Sequence, residues 1–214
     1  MNNEIWVSEA PLRSENAKAT FDNLIPVDDV FDEAYYFTMN VRDQNNRGAK
    51  LEAERFPHHI FSNKTQKGRR QTFTDFFRSR KVPVISQAAA ETFKQFDMGY
   101  CSLFPVSVTL SDGTTPVGNG WYCLNYANTK ETIIPEKPIG MMPVANASGE
   151  PLFIVGGYLK DDQLSVQASA LAGADIWVDH RMLSGFFVSG RLAKAIKAAK
   201  LKGFYLSRCK LDEG

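Results

Sequence analysis

The 214-residue chain predicts an α+β fold: a mixed or antiparallel sheet with a few helices. Three observations predict it. Short apolar runs bounded by turn residues recur along the chain and read as strands. Few stretches place apolar residues at helical spacing. One succession of apolar run, serine-capped helix, glycine and strand occurs twice, which suggests two similar strand-helix-strand units packed closely together.

Composition agrees with a folded chain. Hydrophobic residues make up 43% and charged residues 23%, which is ordinary globular usage. A length prior of roughly 150 residues per domain predicts one compact unit or two packed lobes. Residues 1–80 read as an uncertain N-terminal region of the same fold and 81–214 as its more legible part. A core of this size stands without disulfides or metals.

Along the chain, residues 1–30 read as an irregular or extended lead-in, acidic around Asp22, Asp28, Asp29, Asp32 and Glu33. Ala34-Tyr35-Tyr36-Phe37-Thr38-Met39 is aromatic enough for a short strand. Residues 42–81 are polar and read as irregular, with Asn45-Asn46-Arg47-Gly48 as a turn. Between 61 and 81, the cations Lys64, Lys67, Arg69, Arg70, Arg78, Arg80 and Lys81 are opposed only by Asp75. Phe73, Phe76 and Phe77 interrupt them at helical spacing, so one face would pack while the other stays charged.

The first repeated unit begins at Val82-Pro83-Val84-Ile85, whose proline suits a strand start or an edge. Ser86 is placed to cap a helix over Ala88–Phe96. Gly99 ends the helix, and Ser102–Val106 is the return strand. The second unit runs Gly185-Phe186-Phe187-Val188, then Ser189, then a helix from Arg191 to about Leu201. Its Leu192, Ala195, Ile196 and Ala199 fall on one buried face, and Lys200 and Lys202 suit its C-terminal end. Gly203 ends it before a strand over Phe204–Cys209. Serine and glycine are 13 residues apart in the first unit and 14 in the second.

Between the units, Val106–Leu110 and Trp121–Tyr126 flank the turn Ser111-Asp112-Gly113-Thr114 and predict a β-hairpin. Residues 128–151 contain four prolines and predict a long connection, although Ile139, Met141, Met142 and Val144 are unusually apolar for one. Pro151–Val155 and Asp175–Asp179 read as strands. Gln163–Asp175 fits either period.

The candidate chemistry is sparse. Cys101, Cys123 and Cys209 form no C-x-x-C pair, which excludes a zinc ribbon or thioredoxin-like motif. Reduced thiols are the simplest reading, with a Cys101–Cys123 bridge left open. His58-His59 and the distant His180 read as surface histidines rather than metal ligands. Asp28-Asp29 and Asp161-Asp162 lack Ca²⁺-loop spacing. Gly118-Asn119-Gly120 and Gly156-Gly157 lack phosphate-loop spacing, and no Gly-x-Ser-x-Gly elbow occurs. No cofactor and no catalytic residue is predicted.

The net charge is only +1, so the whole molecule carries no footprint of a nucleic-acid binder. The basic 64–81 stretch remains open to three readings: a solvated face over buried phenylalanines, a stacking platform for nucleic acid, or a face that docks an acidic protein. Arg69, Arg70, Arg78 and Arg80 are its candidate binding residues. Arg191, Lys194, Lys197 and Lys200 on the last helix read as solvated, or equally as a face for an acidic protein partner. Met1–Pro11 does not resemble a secretory signal, and no run of ~18 apolar residues occurs. The expectation is a cytoplasmic protein.

The segment Asp175-Ile176-Trp177-Val178-Asp179-His180-Arg181, with Phe186–Leu192, Leu201–Phe204 and the closing Arg208-Cys209, resembles family eleven of the immunity proteins of bacterial polymorphic toxin systems. Val82–Ser86, Phe104-Pro105-Val106 and Tyr122–Asn125 resemble the middle region of that family, so the likeness spans about 82–126 and 172–210. It implies a non-enzymatic cytoplasmic protein that binds and neutralises a cognate toxin by occluding it. A module for nucleic acid or another anionic partner is the alternative.

Overall fold

The computed structural model describes residues 3–13, 21–24, 31–62, 73–79, 82–110, 112–137, 139–145, 149, 151–155 and 158–212. Two sheets dominate them. The larger has the order β2-β3-β6-β7-β5-β4, with β2 at Phe21–Leu24, β3 at His59–Ser62, β4 at Phe76–Ser79, β5 at Val82–Ser86, β6 at Ser102–Thr109 and β7 at Trp121–Asn125. Its β3–β6 pair is parallel and the others are antiparallel. The smaller sheet has the order β11-β12-β1-β13, with β1 at Ile5–Ser8, β11 at Ile176–Trp177, β12 at Phe186–Ser189 and β13 at Leu206–Arg208. The antiparallel pair β8 (Met141–Val144) and β9 (Leu152–Val155) and the parallel pair β10 (Ser165–Gln167) and β14 (Lys210–Asp212) complete the strands. The helices are α1 (Phe31–Asn46), α2 (Gln87–Phe93) and α3 (Gly190–Ala198). The class is α+β, as the sequence predicts.

Both repeated units form, and they lie in different sheets. In the first, β5 and β6 flank β7, which is antiparallel to each; α2 joins them. In the second, β12 and β13 flank β1, again antiparallel to each, and α3 joins them. The central strand follows its unit in the first case and comes from the chain start in the second. Ser86 and Ser189 cap their helices by accepting the Ala89 and Leu192 amide protons at 3.2 and 3.3 Å. Such a cap contributes about 1 kcal/mol.

Three apolar layers follow from this arrangement. The central one joins the units: Trp6, Phe76, Ile85, Ala89, Phe93, Phe186, Leu192, Ile196 and Phe204 all belong to it. Phe76 sits 5.8 Å from Phe186 and 5.6 Å from Phe204, ring centre to ring centre. Beyond the smaller sheet, Ile5, Val7, Phe153, Val166, Trp177 and Phe187 form a second layer. Beyond the larger sheet, Ile60, Phe77, Val84, Val108, Trp121 and Cys123 form the third.

Several expectations are corrected or made definite. The lead-in contains β1, whose four residues are all buried because Trp6 faces the central layer while Ile5 and Val7 face the second. Ala34–Met39 lies inside α1 and is no strand, and the stretch 42–81, read as irregular, contains β3 and β4. Phe76 and Phe77 sit in β4 and point to opposite layers, not to one helical face. The proline-rich connection carries β8, and Ile133 and Met141 are buried in the second layer. The ambiguous 163–175 segment splits into β10 and a 3-10 turn at Ala168–Leu171. β9 forms as predicted; β6 and β7 make a hairpin, but β7 pairs with Ser102–Val106, while Ser107–Thr109 pair with β3.

Candidate partner-binding surface

Arg69, Arg70 and Arg80 lie outside the described residues, as do Lys64, Lys67, Lys81 and the Asp28-Asp29 pair. Arg78 occupies β4 and is half-buried. Desolvation lowers its guanidinium pKa; Tyr126 opposes this and Arg42 adds to it. Phe77 packs edge-on against Trp121 at 5.1 Å and Phe73 against it at 6.4 Å. These rings are spent on packing within the protein.

The basic face of α3 is also partly engaged. Lys197 lies 3.5 Å above the Trp6 ring. Arg191 grips Asp175 through Nε at 2.6 Å and Nη2 at 2.7 Å. The segment that carries the family likeness is thus a structural clasp. Burial would raise the Asp175 carboxyl, but hydrogen bonds from Arg191, Ser189 and the Asp97 amide outweigh it and hold it below the ordinary range. Asp179 behaves likewise: it is fully buried, and Arg181 with the Thr132 and Ile133 amides overcomes the desolvation. Trp177 donates to Thr132 Oγ1 at 2.8 Å, beneath Lys130 at 3.6 Å from the ring. Lys130 donates to the Ala170 and Ala174 carbonyls, and desolvation lowers its pKa to about 8.

Asp75 repeats part of this arrangement in the first unit. It accepts the Ser86 hydroxyl at 2.7 Å and the Lys202 amide at 2.7 Å. A cleft of about 490 Å³ opens beside it, lined by Phe73, Gln87, Glu91, Asn119 and Trp121 among others. Within this cleft, Glu91 accepts from Gln87 at 2.6 Å.

All three cysteines are free thiols; Cys123 and Cys209 are buried. Burial pushes Cys101 up to about 12 and the other two upward as well, so none is poised as a thiolate nucleophile. His59 Nε2 lies 2.7 Å from Thr109 Oγ1. Among the described residues, no helix is long and apolar enough to cross a membrane.

Sequence reasoning missed a surface cluster in which the Arg13 guanidinium lies between the Tyr158 and Tyr205 rings. Arg13 is more than 140 residues from either tyrosine in the sequence, so no local pattern announces it.

A comparison with curated proteins finds no match. The immunity protein family Imm11 matches residues 16–210, which adds the stretches 16–81 and 127–171 to the likeness seen in the sequence. The braced Asp175–Arg181 segment and both capped helices fall inside that match, and the chain belongs to the Imm11 family of immunity proteins.

Proposed function

We propose that this protein binds a cognate toxin in the cytoplasm and neutralises it by covering a surface the toxin needs. The observation that carries this reading is the family match over residues 16–210. The protonated thiols, two of them buried, argue against thiol catalysis. Occlusion of this kind buries about 1,200–2,000 Å² in total. Where the toxin face is acidic, Arg69, Arg70, Arg78 and Arg80 would speed and orient docking.

Co-expression with the toxin encoded by the adjacent gene tests the reading. Restored growth, together with a one-to-one complex on size-exclusion chromatography, is the expected result. Persistent toxicity with no complex would overturn it. Salt-sensitive binding to generic DNA in place of a complex would put the nucleic-acid alternative first.

A further inference from the structure

The cluster around Arg13 is built from three distant segments held by one buried carboxylate. The Arg13 guanidinium carbon lies 3.9 Å from the Tyr158 ring centre and 5.0 Å from that of Tyr205. Its Nη2 is 2.7 Å from Glu9 Oε2. Glu9 is only 1% exposed. Its carboxylate accepts the amide protons of Tyr158 at 3.0 Å and Leu159 at 2.6 Å, and its own amide donates to the Tyr205 carbonyl at 3.2 Å. The rings so fixed are not hidden: Tyr158 is 74% exposed and Tyr205 37%.

Backbone strain concentrates in the same place. Tyr158 has φ +66°, Tyr205 +44° and nearby Asp162 +62°, three of the five positive-φ non-glycine residues among those described. Bulky side chains disfavour that region. Such strain persists where the surroundings over-determine it, and it gathers at functional sites. Glycine would serve the backbone at 158 better than tyrosine, so the exposed ring needs another reason.

The patch carries both signs of charge equally. Arg13 is paired with Glu9 and Arg208 with Asp162, while Lys160 and Asp161 are exposed beside them. A polyanion gains nothing from such a surface. A protein does, because fixed tyrosines and arginine typify the energetic centre of an interface. The 3-10 turn at Ala10–Leu12 packs against β4, the strand of Arg78, so the patch adjoins the described end of the basic stretch.

We propose that the Tyr158–Arg13–Tyr205 cluster is the anchor on which the toxin docks. The matching toxin surface presents an apolar side chain ringed by hydrogen-bonding groups and carries no net charge there. This inference rests on the immunity reading and names its site.

The test uses the full-length chain with Tyr158→Gly and Tyr205→Gly, titrated calorimetrically against the active-centre-disabled toxin of the adjacent gene. Glycine removes each ring and accepts the positive φ. Each variant should bind at least about tenfold more weakly, with its melting temperature unchanged or raised. Tyr158→Asn, which also tolerates this backbone, decides the matter if glycine loosens the loop. Wild-type binding with all Tyr variants within about twofold would overturn the anchor and leave the immunity reading standing. So would loss confined to charge reversal of Arg69, Arg70 and Arg80. No wild-type binding would overturn both.

Discussion

Asp75 and Asp175 are equivalent residues that brace each other's units. Each accepts the hydroxyl of the serine capping the helix of its own unit. Each then spends its second oxygen on an amide just past the other helix: Lys202 for Asp75 at 2.7 Å, and Asp97 for Asp175 at 2.8 Å. The residues after them pair alike, Phe76 with Ile85 and Ile176 with Val188. The two units are thus joined by apolar packing and by reciprocal hydrogen bonds.

The braces are unequal. Asp175 is nearly inaccessible and carries Arg191 as well, whereas Asp75 is partly exposed. Asp175→Ala should cost about 2–4 kcal/mol, since a buried cap and a charged partner lose their acceptor. Asp75→Ala should cost about 1–2 kcal/mol. Urea unfolding of both variants checks the order.

Acid should weaken the fold in a defined window. Asp175 and Asp179 have folded pKa values below their unfolded ones. Their contribution is therefore complete above the unfolded value of about 3.9 and is lost as pH falls through the lower folded values. Unfolding free energies measured from pH 6 to 2 should drop most steeply below about 4. Asp179→Asn should be less stable at pH 6 and show a shallower drop.

The chain start should be indispensable. Trp6 fills the central layer from a strand paired on both sides. Trp6→Ala should cost about 3–5 kcal/mol, read by the shift of the urea midpoint.

Gly203 should resist substitution. Its φ is +93°, and a Cβ there would lie 2.6 Å from the Phe76 carbonyl oxygen. Gly203→Ala forces both a disfavoured backbone and a backbone clash, at a cost above about 1 kcal/mol. Thermal unfolding shows it directly.

Thiol labelling gives a further readout. Cys123 and Cys209 should react with an aromatic disulfide reagent at pH 8 only as fast as the protein opens, because burial keeps both thiols protonated and covered. Cys101, less covered, should react first.

What the sequence determined by itself is local. Ser86 and Ser189 announce helix starts because a hydroxyl at that position satisfies a first-turn amide whatever the rest of the chain does. The apolar runs before them read as strands for a similar reason, and the family likeness rests on those same segments. Tertiary structure decided the rest. Ile5–Ser8 and Phe76–Ser79 are buried on both faces, and a strand of that kind has no period to betray it. The six-residue aromatic run within α1 looks extended alone; the helix is fixed by distant partners, with Asn45 donating to the Leu124 carbonyl and accepting from the Tyr126 amide. The Asp75 and Asp175 braces, and the stacking of Arg13 between two tyrosines, exist only once remote segments meet. Side-chain geometry across such separations leaves no trace in residue order.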